Sequence, residues 1–225
     1  MSYYIEKQFD AACAHRISSQ YLCDALRDDD FRAAPCKNIH GHNVTFLIGI
    51  SSENLENEMV LDFNHLSFVK SALNGYYDHK FILWKNDPLY DFLVRHAWDM
   101  LLKEAMKKIE PESTKDSDIT YEPEMSVIDL LDGGEGYRAY HLEIPDWAYC
   151  IQSPLFELLH GITVVDFETS SENLAHWMYN VVNNRLNKVK AETKDEKIRK
   201  ILDNVKVAQV SYKESPKSIA TYTGE

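Results

Sequence analysis

The most informative stretch of the sequence is Cys36-Lys-Asn-Ile-His40-Gly-His42, which the apolar run NVTFLIGI follows over residues 43–50. The β-branched and apolar residues of this run predict a strand. Because residues two apart on an extended segment point to the same side, His40 and His42 are expected to place both imidazoles on one metal ion. Gly41 between them leaves room where the backbone lies close to the ion or to a ligand. The stretch therefore predicts a metal site at the start of a strand.

A third ligand has to come from another segment, and His15, at the end of the first predicted strand, is the natural candidate. Three neutral histidines leave the fourth tetrahedral position of a zinc ion open, which is the arrangement of a catalytic site. Two other interpretations fit the same pattern. Either His40 and His42 are solvated side chains of a turn, or Cys36 is a further ligand and the site is closed and structural.

Three other features carry weaker signals. The Cys36 thiol is either a small buried group or, near a metal ion or a histidine, a base or nucleophile with a lowered pKa. Asp78 and His79 are either a surface pair or a histidine whose charge a carboxylate stabilises. Glu214, at the end of a strand, is either solvated or, when buried, able to bind a planar N–C–N edge with two hydrogen bonds.

Hydrophobic periodicity predicts a mixture of strands and helices. The predicted strands are 3–9, 43–50, 60–63, 205–212 and 219–222. The predicted helices are 64–76, with Asn64 as its N-cap, and 170–186, which has a serine start. The charged run 188–200 predicts a solvated helix or loop.

The segment 84–165 fits this pattern less well and is interpreted as an insertion into a smaller fold. It contains a predicted helix over 89–109, a polar patch and a glycine turn. It also carries apolar stretches such as LFELLHGI, which a disordered segment would lack. We therefore expect the insertion to pack on the core formed by 1–83 and 166–225.

Length and composition narrow the class of protein. The chain has 225 residues, a formal net charge of −12, 44% hydrophobic and 27% charged residues. These values predict a globular protein of one large or two small domains and exclude a disordered chain. The acidic balance argues against nucleic acid as a partner, and no apolar run approaches the roughly 18 residues of a membrane span. The first residues lack a signal-peptide core and the four cysteines are too few for a disulfide scaffold, so a cytoplasmic location is expected.

Several segments together resemble the 6-pyruvoyl-tetrahydropterin synthase and 6-carboxy-tetrahydropterin synthase family. In chain order they are FDAACAHRI, CKNIHGHNV, MVLDFNHL, DHKFIL, TSSENLAHWMY and VSYKESPKSIATYTGE. The resemblance implies an α+β tunnelling fold, in which a four-stranded antiparallel sheet carries two helices on one face. It also implies a homo-oligomer, a trimer that joins its sheets into a barrel or a hexamer of two such trimers, with active sites between subunits.

The resemblance also assigns roles to individual residues. It makes His15, His40 and His42 the zinc ligands and Cys36 the catalytic cysteine. It makes Asp78 and His79 the catalytic relay. The residues that it places against the pterin are Ser170, Ser171 and Glu172 at a helix start, with Glu214 as the anchor that is also counted among the catalytic residues.

The substrate implied is 7,8-dihydroneopterin triphosphate. Three residues separate Cys36 from His40, as in the bacterial carboxy branch that feeds queuosine synthesis; that branch forms 6-carboxy-5,6,7,8-tetrahydropterin with loss of triphosphate and acetaldehyde. One alternative is the pyruvoyl branch, in which only triphosphate leaves. Another is a non-catalytic, zinc-holding module for pterin binding or assembly. The nearby cations that are candidates for the triphosphate are Arg16, Lys37, Lys80 and Lys217. The chain departs from the family at Tyr77, where leucine is common.

Overall fold

The computed structural model describes residues 2–21, 34–110 and 120–224. Within these residues, eight strands form a single sheet. They are β1 (Tyr3–His15), β2 (His40–Ser52), β3 (Lys80–Trp84), β4 (Met125–Val127), β5 (Ala139–Leu142), β6 (Ile162–Val165), β7 (Val205–Ser215) and β8 (Ser218–Tyr222). Across the sheet they lie in the order β4-β5-β6-β3-β1-β2-β7-β8.

The centre of the sheet is a long antiparallel pair. β1 and β2 pair along 13 residues each, and their alternating side chains bury one face. The register sets His15 opposite His40 and Cys13 opposite His42. β7 pairs antiparallel with β2, and β8 pairs antiparallel with β7. These four strands therefore bring the ends of β1 and β7 to the histidine-bearing start of β2.

The prediction of a four-stranded antiparallel sheet is wrong in extent, because the sheet is mixed and has eight strands in the described residues. β3 pairs in parallel with β1 at Cys13 and Ala14, and β6 pairs in parallel with β3. β5 and β4 then continue the sheet in antiparallel fashion. All residues of β6 are buried, as is typical of a strand that is covered on both faces.

The α-helices of the described residues are α1 (Ser67–Tyr76), α2 (Ala97–Ile109), α3 (Pro154–His160), α4 (Ser171–Glu192) and α5 (Glu196–Asn204). The strand predicted over 60–63 is wrong, since Asp62 caps a 3₁₀ turn over Phe63–Leu66 that leads into α1. The helix predicted over 89–109 is confirmed, except that its first turns, Asp91–His96, are π-helical before α2 begins. No helix of the described part of the chain combines the length and apolarity that crossing a membrane requires.

Two hydrophobic clusters stabilise the structure. The larger one lies between the sheet and helices α1 and α4, and Phe46, Tyr77 and Trp177 are among its fully buried side chains. The second lies within residues 83–164 and is centred on Trp98 and Leu101 of α2. The described part of the segment 84–165 thus has its own apolar packing while its strand β6 is hydrogen-bonded to β3.

Candidate metal centre

Four side chains from three strands meet at one end of the sheet. They are His15 at the end of β1, His40 and His42 at the start of β2, and Glu214 near the end of β7. One potential ligand atom from each lies within 4.8 Å of those of the other three. The cross-strand register explains the meeting, because His15 and His40 are direct partners and His42 is two residues further along the same face.

Hydrogen bonds at Nδ1, the ring nitrogen that faces away from the cluster, orient the imidazoles of His15 and His40. His15 Nδ1 lies 2.8 Å from the carbonyl oxygen of Thr169, and His40 Nδ1 lies 2.8 Å from that of Asn38. A carbonyl only accepts, so each Nδ1 carries the proton and donates it. The lone pair of each ring is then on Nε2, as in metal-binding histidines whose other nitrogen donates to a backbone oxygen.

The atoms that face each other in the cluster are buried and lack hydrogen-bond partners. They are His15 Nε2, His40 Nε2, His42 Nε2 and Glu214 Oε1. Oε1 of Glu214 lies 3.1 Å from His15 Nε2 and 3.5 Å from His42 Nε2, but neither contact has hydrogen-bond geometry. Burial of unpartnered polar atoms is costly unless something satisfies them. Three imidazole nitrogens and one carboxylate oxygen form a donor set that fits zinc.

The protonation states also suit a cation. Burial lowers the pKa of His42, which keeps its ring neutral. The contact with His15 lowers the pKa of Glu214 only while His15 Nε2 carries a proton, and a cation bound at that position would act in the same direction and keep the carboxyl ionised. Metal ions bind the neutral imidazole and the ionised carboxylate, so both groups are in the form that ligation requires.

Glu214 is closer to the histidines than the sequence indicates. The family resemblance implies that it is the pterin anchor, whereas in the structure its Oε1 belongs to the candidate ligand set. A bulge in the β7–β8 pairing between Lys213 and Ser215 changes the register at this residue. A contact with Ser171 also contributes to its lowered pKa, so Glu214 lies between the metal centre and the start of α4.

Cys36 lies beside the cluster in a 3₁₀ turn, Pro35–Lys37. Its backbone N–H donates to Gln20 Oε1 at 2.9 Å, and its carbonyl accepts from the N–H of Ile17 at 2.7 Å. Burial, followed by the charge of Glu214, raises the pKa of the Cys36 thiol. The lowered pKa expected from the sequence therefore depends on a bound cation, whose charge acts in the opposite direction.

Asp78 and His79 form the histidine–carboxylate contact that the sequence suggests. His79 Nδ1 lies 3.0 Å from Asp78 Oδ2, and Asp78 Oδ1 accepts the N–H of Ala12 at 2.7 Å. This backbone bond is the main cause of the lowered pKa of Asp78. His79 has a left-handed backbone (φ 59°), and its side chain is 82% exposed. Within the described residues, no hydrogen bond joins this pair to Cys36.

A buried trio of polar side chains connects the segments that carry the site. Cys13 Sγ donates to the Tyr77 hydroxyl at 3.2 Å, and the Tyr77 and Tyr212 hydroxyls are 3.2 Å apart. Cys13 precedes His15 by two residues, Tyr77 precedes Asp78, and Tyr212 precedes Glu214 by two. The departure from leucine at residue 77 thus adds a hydroxyl that the other two groups satisfy.

The start of α4 contributes its backbone and one side chain. Ser170 caps the helix and accepts from the N–H of Asn173 at 3.3 Å, and Ser171 contacts Glu214. Glu172 is exposed, and the structure does not bring it to the cluster. Thr169, whose carbonyl accepts from His15, is fully buried. In the sequence it stands out only as part of Thr169-Ser170, which replaces the usual proline-threonine of the family before this helix and keeps a hydroxyl.

Two of the four candidate cations for the triphosphate are engaged elsewhere. Arg16 Nε lies 3.3 Å from Asp87 Oδ2, and Lys80 Nζ donates to the carbonyl oxygen of His160 at 2.6 Å. Lys37 and Lys217 are exposed side chains. The sequence alone gives no sign of the Arg16–Asp87 contact, because 71 positions separate the two residues.

Comparison with known proteins identifies the family. The sequence model of the family described as 6-pyruvoyl tetrahydropterin synthase matches residues 4–225. The chain belongs to this family. The resemblance seen in the sequence segments is thereby confirmed at the level of the family, and the chain is a member of a group of pterin synthases.

Two individual proteins are similar to this chain. The 6-carboxy-5,6,7,8-tetrahydropterin synthase of Aquifex aeolicus is 36% identical over 97 residues, which cover 40% of this chain and 58% of that protein. The match thus spans little more than half the length of this relative. The crystal structure of an uncharacterized protein from Wolinella succinogenes aligns with 100% of this chain and 99% of its own, with a TM-score of 0.72 and 24% identity. This likeness supports the fold.

Proposed function

We propose that this protein is a zinc-dependent 6-carboxy-tetrahydropterin synthase, a lyase that acts on 7,8-dihydroneopterin triphosphate. The observation that carries the proposal is the group of buried, unpartnered ligand atoms of His15, His40, His42 and Glu214, with the Cys36 thiol beside it. A site of three histidines suits catalysis because it leaves zinc positions open to an exchangeable carboxylate, water or substrate.

Bound zinc would supply a Lewis acid for the hydroxyl groups of the substrate's side chain. His15, His40 and His42 would hold the ion, and the Nδ1 hydrogen bonds of His15 and His40 keep those two rings from rotating. Cys36 would take a proton from a side-chain carbon and return it to the neighbouring one. His79, steadied by Asp78, would deliver a proton from the opposite face.

Glu214 would have two roles, first at the metal centre and then, once substrate is bound, at the pterin. Without substrate its Oε1 would be the fourth group that holds the ion. When pterin arrives, the carboxylate would turn to the amino group and ring N–H, where two parallel hydrogen bonds fit its two oxygens. Ser171 already contacts Glu214, so the start of α4 would border the same pterin subsite. Ser170 and Glu172 belong to this subsite only through the family resemblance.

The exposed relay supports an assembly in which a second copy covers it. His79 is 82% exposed, and a general acid in bulk water does not control where its proton goes. We infer a homo-oligomer, a trimer or hexamer, whose active sites lie between subunits. Small pterin triphosphates, rather than nucleic acid, are the proposed ligands.

The pyruvoyl synthase reaction is the second candidate, since it uses the same substrate and the same residue types. The spacing of three residues between Cys36 and His40, and the similarity to the Aquifex aeolicus protein, favour the carboxy branch. A non-catalytic module would have no need for a thiol beside a metal centre together with a histidine–carboxylate pair.

The decisive test is incubation of the zinc-loaded protein with 7,8-dihydroneopterin triphosphate. The expected products are 6-carboxy-5,6,7,8-tetrahydropterin by mass, with triphosphate and one equivalent of acetaldehyde. A product that retains the three-carbon side chain, without acetaldehyde, would support the pyruvoyl branch. A protein that binds zinc and pterin without turnover would support the non-catalytic module.

A further inference from the structure

The residue that follows His15, a ligand of the proposed metal centre, enters an ion pair in which Asp87 is buried and Arg16 is largely buried. Arg16 Nε lies 3.3 Å from Asp87 Oδ2, and the two side chains are 14% and 2% exposed. Arg16 ends the segment that carries His15, whereas Asp87 lies at the start of the 84–165 segment. Buried charges of this kind are rare unless they are paired.

Asp87 is itself held rigidly. Its Oδ1 accepts the N–H of Leu89 at 2.7 Å, its own N–H donates to the carbonyl of Trp84 at 2.9 Å, and its carbonyl accepts from Tyr90 at 2.9 Å. The carboxylate therefore sits in a tight turn that continues directly from β3. A carboxylate fixed in this way defines a position for the guanidinium that meets it.

Thr169 also fixes the end of β1, through two hydrogen bonds. The Thr169 hydroxyl donates to the carbonyl of Arg16 at 2.9 Å, and the Thr169 carbonyl accepts from His15 Nδ1 at 2.8 Å. His15 and Arg16 are thus fixed by Thr169, which follows the 84–165 segment, and by Asp87, which lies within it. Of these two partners, Asp87 is the one that brings a charge, which lies opposite that of Arg16.

We propose that Asp87 is a positioning residue for the metal centre, which acts through Arg16 to fix the end of β1 and so the place of His15. The proposal rests on the metal centre of the proposed function, but not on the reaction. It gives the 84–165 segment a task in the site, because the segment supplies the carboxylate that the first zinc ligand depends on. Groups behind the ligands commonly change metal affinity by about 10- to 100-fold.

The test compares zinc affinity by chelator competition in the full-length protein. Asp87→Asn keeps the oxygen that accepts from Leu89 but removes the charge opposite Arg16. We expect it to bind zinc about tenfold more weakly, or worse. Asp91→Asn is the matched control, because Asp91 also pairs with an arginine, Arg95, at 3.0 Å but on the surface. Its zinc affinity should stay at the wild-type value.

A second variant separates positioning from stability. Arg16→Met combined with Asp87→Leu removes both charges, and apolar replacement of a whole buried pair usually leaves a fold intact. We expect a folded protein with weakened zinc binding and, after cobalt(II) substitution, a changed visible spectrum. If either folded variant shows wild-type zinc affinity and an unchanged cobalt spectrum, Asp87 has no positioning role.

The outcome also separates this inference from the proposed reaction. A wild-type protein that binds zinc but does not convert the pterin triphosphate would contradict the reaction and leave the role of Asp87 intact. A wild-type protein that binds no zinc would overturn both. Zinc binding and turnover that both persist, with Asp87→Asn unaffected, would overturn only the inference about Asp87.

Discussion

The imidazole cluster and the Asp78–His79 pair are built in opposite ways. His15 is fully buried, and its ring is held by a backbone carbonyl on one side and faces ligand atoms on the other. His79 has a carboxylate partner too, but its side chain is 82% exposed. A single chain therefore assembles the three histidines of the cluster, whereas His79 lies on the surface of the chain.

This contrast indicates which half of the site a single chain completes. Electrostatic interactions in the cluster are strong because its facing atoms are buried, whereas those of His79 are screened by solvent. Changes in the cluster are expected to have large effects on metal binding even in an isolated subunit. Changes in the exposed pair should alter stability little and matter mainly for turnover.

Loss of one cluster histidine is the largest expected effect. In His40→Ala the ion would lose a direct ligand, so zinc affinity should fall by more than about 100-fold, beyond the range for groups behind the ligands. Metal analysis after dialysis against a weak chelator measures this. His65→Ala is the control, since His65 is an exposed histidine of a 3₁₀ turn. Full zinc retention in His40→Ala would contradict the ligand assignment.

Removal of the thiol tests whether the site is catalytic or closed. Cys36→Ala should keep its zinc and lose turnover by about 10²- to 10⁴-fold, the usual contribution of a general base. Steady-state kinetics and metal analysis of one sample check both parts. Cys150→Ala, at an exposed cysteine, is the matched control. Loss of zinc in Cys36→Ala would make Cys36 a ligand and the site structural.

Glu214 belongs to the cluster, and its two possible roles predict different losses. As a pterin anchor that makes two charge-assisted hydrogen bonds, its loss should cost roughly 2–5 kcal/mol in pterin binding. We expect Glu214→Gln to weaken pterin affinity at least about tenfold and zinc affinity less, since three imidazoles remain. Glu192→Gln, at the exposed end of α4, is the control. A variant that loses zinc but binds pterin normally would make Glu214 only a ligand.

The three histidines of the cluster could be predicted from the sequence because local features bring them together. His40 and His42 are two apart on one strand, and His15 ends the strand that pairs with it. A period of two and one antiparallel pairing are enough to bring all three together. The structure brings together the three residues that this reasoning selected.

The parts that sequence reasoning missed depend on long-range contacts. β3 and β6 are short and pair in parallel, and parallel pairing joins segments that local patterns do not connect. The approach of Glu214 to His15 depends on a bulge in β7, and the Arg16–Asp87 pair depends on how β3 leaves the sheet. The division of the chain at residues 84 and 165 likewise stays a prediction.

The smallest expected effect concerns the exposed pair, and it is a pH dependence of stability. The N–H of Ala12 is the main cause that lowers the pKa of Asp78 in the folded protein below its usual value near 4. A carboxyl with a lowered pKa binds fewer protons when folded than when unfolded, so it stabilises the fold above that usual value. This contribution is lost as the pH falls through the lowered pKa.

Asp78→Asn removes the charge but keeps an oxygen that can accept from Ala12. At about pH 6 we expect the free energy of unfolding of the wild type to be larger than that of the variant. This difference should shrink steadily towards about pH 3. Urea unfolding at several pH values measures it, with the exposed Asp146→Asn as control. Equal free energies of unfolding for the two proteins over this range would mean that a neutral amide oxygen satisfies Ala12 as well as the carboxylate does. In that case the ionisation of Asp78 would not stabilise the isolated chain, and its charge would matter for turnover alone.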